Sequence, residues 1–228
     1  MNTASRPADL HTAPSIYIIN ANSIAKTHAL EQLTADMLAY DIGIAIVTET
    51  KLKAKHRTET FAIKGFQLFR RDRPDRGGGG VAVYVSDRYK ASECKVTEPH
   101  RDKELMWVRV ERCSPPIIVG ALYHPPKHNY RDVELLDYLE ASVEELLFSH
   151  PTDDIITGGD FNKLNIAEVT AWMGLLPMVG VPTRGGKILD MLMAEMNSAY
   201  KVKIIVSAVR SDRKVVLATT GPLPKDRT

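Results

Sequence analysis

Short β-branched runs that stop on polar residues alternate along this chain with stretches of helical period. Ser15 to Ile19 is such a run, ending at Asn20-Ala21-Asn22-Ser23. Ile24, Leu30, Leu33, Met37 and Leu38 then recur at helical spacing and predict an amphipathic helix from about Ala25 to Tyr40. Ile42 to Val47 predicts a second buried strand, which stops at Thr48-Glu49-Thr50. Two strands around a helix, each delivering polar groups at its end, predict a βαβ unit with a site at the strand ends.

Phe66 to Phe69 and Val81 to Val85 read as further strands. Between them lie Arg70-Arg71-Asp72-Arg73-Pro74-Asp75-Arg76 and Gly77 to Gly80. Pro, Asp and Gly dominate turns, so one reading is a hairpin connection. The other is a basic loop whose arginines and open amides touch a phosphate backbone. No Lys-Ser/Thr follows the glycines, which excludes a phosphate-cradling nucleoside-triphosphate loop.

Leu105 to Val110 and Ile117 to Tyr123 predict adjacent strands, the second ending at Tyr123-His124-Pro125-Pro126. Tyr130 to Phe148 predicts a long amphipathic helix burying Val133, Leu135, Leu136, Leu139, Val143, Leu146 and Leu147. Ile155 and Ile156 then form a short strand running into a Gly158-Gly159 turn that ends on Asp160-Phe161-Asn162. Two glycines allow strained backbone and close approach of a ligand. An anion beside a neutral donor suits phosphodiester hydrolysis, the one to orient or deprotonate water and the other to hold a phosphate oxygen. The plain alternative is a strand-end turn in which Asp160 and Asn162 accept local backbone hydrogen bonds. A short helix over Ile166 to Met173 follows, then strands at Ile188 to Met193, Val202 to Val206 and Lys214 to Ala218.

Many strands in hairpins with three helices do not fit a doubly wound parallel sheet. The expected fold class is α/β, a four-layer α/β sandwich of two mixed β-sheets packed face to face with helices outside. Residues 1–14 are expected to be a disordered lead-in, 15–220 the single domain and 221–228 a linker-like tail.

Composition narrows this little. Net charge is +2, from 30 basic and 28 acidic residues, so nucleic-acid contact needs a local patch and not bulk charge. Cys94 and Cys113 lack zinc-like spacing and read as reduced thiols of an intracellular protein. No apolar run approaches the roughly 18 residues of a membrane span.

The polar strand ends form an ordered series: Asn20-Ala21-Asn22-Ser23-Ile24, Thr48-Glu49-Thr50, Gly78-Gly79-Gly80-Val81, Tyr123-His124-Pro125-Pro126, Gly159-Asp160-Phe161-Asn162, Leu189-Asp190 and Ser211-Asp212-Arg213. In this order and spacing they resemble the endonuclease/exonuclease/phosphatase superfamily, most closely the endonuclease domain of non-LTR (LINE-type) retrotransposon polyproteins. The resemblance covers residues 15–220. It implies an Mg²⁺ ion, or Mn²⁺ in its place, held by Glu49 with Asn20 and Asp212 completing or supporting the shell. It implies that Asp160 deprotonates the attacking water, that Asn162 and Tyr123 hold the phosphate, and that Asp190 orients a catalytic histidine after Asp212. Thr183 and Arg184 would touch the DNA strand near the cleft. The implied partners are DNA and a reverse transcriptase domain in the full polyprotein, with no membrane. The domain would act in the nucleus.

One position departs from the pattern. Where the series has histidine, this chain has Arg213. A guanidinium stays charged and cannot accept a proton, though it can pair with Asp190, which needs a partner if buried. The expectation is impaired hydrolysis, by ~3 kcal/mol or more in the barrier. The competing readings are a dead relic that at most binds DNA, and a phosphodiesterase or phosphatase of the same fold acting on a small molecule. All seven histidines are read as solvated, and Trp107 and Trp172 as core or rim.

Overall fold

The computed structural model describes residues 11–74, 77–96, 102–196 and 198–223. The chain runs through β1 (Ile16–Asn20), α1 (Ala29–Ala39), β2 (Ile44–Thr48), β3 (Phe66–Arg71), β4 (Val81–Ser86) and β5 (Lys90–Cys94). It continues through β6 (Glu104–Glu111), β7 (Ile117–Tyr123), α2 (Asp132–Ser149), β8 (Asp154–Asp160) and α3 (Ile166–Met173). β9 (Leu176–Pro177), β10 (Asp190–Ala194), β11 (Lys201–Ile205) and β12 (Val215–Thr219) complete it.

Two six-stranded mixed sheets result, ordered β11-β12-β1-β2-β4-β3 and β5-β6-β7-β8-β10-β9. The expected α/β sandwich is the observed architecture. Each sheet has one parallel pair near its middle, β1 with β2 and β7 with β8; the other pairings are antiparallel. Alternation along the strands explains the layering. Ile16, Ile18, Ile44, Ile46, Val81 and Val83 face the other sheet, while Tyr17, Ile19, Ala45 and Val47 pack beneath Leu33 and Met37 of α1. Both faces are covered, so the strands read as unbroken apolar runs and not as alternating ones. α2 covers the second sheet through Leu135, Leu136 and Leu139, all essentially inaccessible. Truncating one of these to alanine would cost about 2–5 kcal/mol.

Several expected boundaries shift. α1 starts at Ala29, because His28 sits at φ +62°, outside the helical region. Val133 and Leu147 of α2 are exposed at 41% and 40%, outside the helix's buried stripe. β5 escapes the apolar pattern because it is a largely exposed edge strand, Lys-Ala-Ser-Glu-Cys. The expected disordered lead-in is already part of the fold at residues 11–14. There the His11 N–H donates to the Arg112 carbonyl at 2.8 Å, and the Pro14 carbonyl accepts from the Tyr200 hydroxyl at 2.8 Å. Its first ten residues, and the tail beyond Leu223, lie outside the described residues.

The glycines of the central strand have a different role from the expected one. β8 runs straight through them to Asp160 with no turn. A Cβ on Gly158 would lie 2.7 Å from Ile18 Cδ1 and 2.9 Å from Ile46 Cδ1, so this glycine lets the two sheets close together. Gly159 has φ +141°, and a Cβ there would lie 1.9 Å from the Leu122 carbonyl oxygen. The close neighbours are the protein's own sheets, not a ligand. No helix among the described residues is long and apolar enough to cross a membrane.

Candidate active site

The two parallel pairs end at the same rim, and their terminal residues meet there. Register places Asn20 beside Thr48, Tyr123 beside Asp160, and Asp190 beside Asp160. Just past β2 the backbone turns left-handed at Glu49 (φ +50°), and past β8 it does so at Asn162 (φ +47°). Asparagine tolerates that region; for glutamate it costs about 1–2 kcal/mol. The surroundings hold Glu49 against that strain.

One chain of hydrogen bonds joins the two sheets. Asn20 Nδ2 donates to Glu49 Oε1 at 3.0 Å and to Asp160 Oδ2 at 2.8 Å. The Tyr123 hydroxyl donates to the same Glu49 oxygen at 3.0 Å. The Asn162 N–H donates to Asp160 Oδ1 at 3.1 Å, so the local-turn reading of this aspartate is realised within the site. Asn162 Nδ2 donates to the His124 carbonyl at 2.8 Å, and the Ser211 hydroxyl to the Asn20 carbonyl at 2.6 Å.

Arg213 enters from the β11–β12 connection. Buried Asp36 of α1 anchors that connection, its Oδ2 accepting from the Ser207 hydroxyl at 2.7 Å and the Ala208 N–H at 2.9 Å. The Arg213 side chain is 3% exposed and donates to Asp160 Oδ2 at 2.9 Å, Asp190 Oδ2 at 3.3 Å and Asn162 Oδ1 at 3.4 Å. Asp190 thus has a cationic partner, although its Oδ1 meets no hydrogen-bond donor among the described residues.

The charges follow from this packing. Burial, then the Asp160 charge, pushes Asp190 up to about 7, against the opposing pull of Arg213. Burial also raises Asp160, more than Arg213, Asn20 and the Asn162 amide lower it. Glu49 goes the other way. Burial would raise it, but hydrogen bonds from Asn20 and Tyr123 and the Lys51 ammonium, 3.5 Å from Oε2, hold it below its usual range.

Other expected site residues sit elsewhere. Asp212 is half exposed and pairs with Arg184 at 2.6 Å, so a place in a shell around Glu49 would require that pair to open. The hydroxyl of Thr183 is buried and accepts from the Leu189 and Asp190 N–H groups, bracketing the start of β10, so it offers no surface to a DNA strand. Arg184 stays at the rim, already engaged by Asp212.

The arginine-rich loop is mostly consumed internally. Arg70 pairs with Asp72 and donates to the His56 carbonyl at 2.9 Å, and Arg71 donates to the Leu105 carbonyl at 3.0 Å. Arg73 pairs with buried Glu104 and lies 5.6 Å above the Tyr123 ring, which brings this loop to the site's edge. Arg76 lies outside the described residues.

Sequence reasoning passed over two residues here. Lys51 shares the Glu49 carboxylate. His124 is not solvated but 1% exposed, and burial, with His128 beside it, pushes its imidazole down to about 4. The apolar strand running into it was the available signal, masked by the two prolines that follow.

The hard-cation reading fits on one point and not on two. Glu49 is held in its ionised form, its side chain 21% exposed with the Lys51 ammonium 3.5 Å from Oε2, and Mg²⁺ needs only one or two carboxylates plus waters and phosphate. Asn20, by contrast, turns its donor nitrogen toward Glu49 while its oxygen accepts from the Asn22 N–H at 3.0 Å. Asp212 is occupied elsewhere.

Comparison with known proteins gives the family. The "RNA-directed DNA polymerase from mobile element jockey" of Drosophila funebris is 23% identical over 148 residues, covering 65% of this chain. The chain spans only 14% of that relative's length. The endonuclease domain of TRAS1, a telomere-specific non-LTR retrotransposon, superposes with a TM-score of 0.67 at 15% identity, covering 90% of this chain and 97% of that one. The AP endonuclease LMAP from Leishmania major gives a TM-score of 0.66 at 12% identity, covering 90% and 86%. The 3′ phosphatase NExo from Neisseria gives 0.64 at 18%, covering 91% and 99%. Residues 16–165 match the Endonuclease/Exonuclease/phosphatase family, more than half of the 228 residues, and the chain belongs to that family of phosphodiester hydrolases.

Proposed function

We propose that this chain is the endonuclease-like domain of a non-LTR retroelement, arranged to nick one DNA strand with Mg²⁺ and leave a 3′ hydroxyl, and impaired in hydrolysis by Arg213. The observation that carries the reading is the position of the Arg213 guanidinium, wedged between Asp160 and Asp190 and within reach of Asn162. An imidazole in that place, oriented by Asp190, can accept or donate a proton; a guanidinium stays protonated and offers only hydrogen bonds and charge. Arg213 also occupies the oxygen of Asp160 that already accepts from Asn20, and Asn162 occupies the other. Three of a carboxylate's roughly four acceptor positions are then filled before water arrives.

The remaining residues have roles that suit phosphodiester hydrolysis. Glu49 would hold the magnesium ion, which supplies charge to polarise the phosphate and stabilise the leaving oxygen. Tyr123, its pKa raised by burial and by the Glu49 carboxylate, keeps its proton; that single O–H donates to Glu49 and would turn from it to reach a phosphate oxygen. Arg73 against the Tyr123 ring opens onto a groove of about 520 Å³ lined also by Lys53, Lys55 and Asp72, a surface suited to an anionic backbone. The likeness to part of a mobile-element polymerase supports a polyprotein in which a reverse transcriptase accompanies this domain.

The test is nicking of supercoiled plasmid with Mg²⁺ by the wild-type chain, Arg213→His and Asp160→Ala. Arg213→His is expected to be faster than wild type by ~3 kcal/mol of barrier, roughly a hundredfold, and Asp160→Ala to be inactive. An Arg213→His variant no faster than the original rejects this assignment of the position. Hydrolysis of small phosphoesters without nicking would favour the small-molecule alternative.

A further inference from the structure

The connection between β7 and α2 brings together three metal-binding side chains that the active site does not use. His124, His128 and Asp132 lie at steps of four residues, and one ligand atom from each falls within 4.8 Å of the other two. Asp132 Oδ1 is 3.0 Å from His128 Nε2 and 3.6 Å from His124 Nε2. Ligands around a tetrahedral ion with bonds of about 2.0–2.1 Å stand roughly 3.3 Å apart, so the two separations from Asp132 are close to two edges of a zinc-sized coordination polyhedron.

The inner nitrogens have partners that suit metal binding. His128 Nδ1 lies 2.9 Å from the Pro125 carbonyl, which can only accept, so a proton held there would leave the Nε2 lone pair for a metal. His124 Nδ1 lies 3.1 Å from the Tyr130 hydroxyl, which can accept the corresponding proton. Tyr130 also stacks on the His128 ring, with centroids 4.8 Å apart. The ordinary account of Asp132 is an anion at the first turn of α2, where the helix dipole favours it. A hydrogen bond from His128 Nε2 accounts for the 3.0 Å contact, but it does not require the buried His124 Nε2 to face the same carboxylate oxygen at 3.6 Å.

We propose that His124 Nε2, His128 Nε2 and Asp132 Oδ1 form a binding site for a divalent transition metal of the zinc class, with a fourth position open to water. Two imidazoles and one carboxylate select a borderline ion over Mg²⁺, so the site is chemically separate from the Glu49 position. Asp132 is 47% exposed, which leaves the outer side of the site open to solvent. The site is also tied to the active site: the His124 N–H donates to the Asp160 carbonyl at 2.9 Å, and its own carbonyl accepts from Asn162. A metal here pins the β7–α2 connection at the residue that positions Asn162.

The test is titration of the chain, freed of any polyhistidine tag, with Co²⁺ and with Zn²⁺ in competition with a chromophoric chelator. The expected results are an intense four-coordinate Co²⁺ visible band displaced by Zn²⁺, and one zinc per chain. Stoichiometric binding should be lost in His128→Ala and Asp132→Asn, both at solvent-accessible positions, and weakened roughly 10–100-fold in Tyr130→Phe. Glu49→Gln should retain the full stoichiometry. Absence of the band in the wild-type chain, or its persistence in both ligand variants, overturns the proposal, and neither outcome depends on whether the chain nicks DNA.

Discussion

Arg213 and Asp160 form an ion pair at 2.9 Å with side chains 3% and 0% exposed, at the one rim where both sheets end. Such a pair is costly to form and more costly to break from one side, because the surviving charge stays buried. Arg213→Met leaves Asp160 and Asp190 facing each other without a cation. The variant should lose about 3–5 kcal/mol of stability, read by urea denaturation. The loss should be smaller at pH 5 than at pH 8, since proton uptake by Asp190 replaces part of the missing charge.

Asp190 makes the sign of that pH effect explicit. Its folded pKa, pushed up to about 7, lies above the unfolded value of about 3.9. A raised carboxyl contributes stability that is fully present below pH 4 and is lost as pH rises through 7. Between those limits the folded state holds a proton that the unfolded state has released, so stability falls with pH by up to about 1.4 kcal/mol per unit. Asp190→Asn removes the titrating group. The stability difference, variant minus wild type, should rise from pH 4 to 7 and then level off; a flat difference across that range would exclude a raised Asp190.

The sequence made some of this legible and hid the rest for identifiable reasons. Strands buried on both faces announce themselves as apolar runs, so β1, β2, β4, β7 and β8 could be read directly. Asp190 could be matched to Arg213 because an unpaired buried carboxylate is costly, an argument that needs no coordinates. Asp212 could not be placed, because which of two adjacent residues turns inward depends on the loop's path, here fixed by Ser211 on the Asn20 carbonyl and by the Lys214 N–H on the Thr183 carbonyl. β5 and β9 were invisible for the opposite reason: an edge strand and a two-residue strand holding Pro177 bury too little to impose a pattern.

Gly159 ties backbone geometry to the site next to it. At φ +141° with the Leu122 carbonyl in the way, alanine must move β8 against β7, where Tyr123 pairs with Asp160. Gly159→Ala should cost about 3 kcal/mol or more and lower the melting temperature accordingly. Gly180→Ala, with open space and no positive φ, should stay within about 0.5 kcal/mol of wild type in the same thermal melts.

On the proposed function, Lys51 and a divalent cation would compete for the same Glu49 oxygen. The ammonium lies 3.5 Å from Glu49 Oε2, with side chains 35% and 21% exposed, so the pair is worth no more than about 1 kcal/mol. Lys51→Ala should therefore tighten Mg²⁺ binding by up to roughly fivefold at low ionic strength, an advantage that added salt removes. Glu49→Gln keeps the shape of the side chain but deletes its charge, and it should abolish the binding isotherm in calorimetry. Because Glu49 is held ionised well below neutrality, affinity in the wild-type chain should not change between pH 6 and 8 on account of this carboxylate. Mg²⁺ that binds Glu49→Gln as tightly as wild type would place the cation elsewhere.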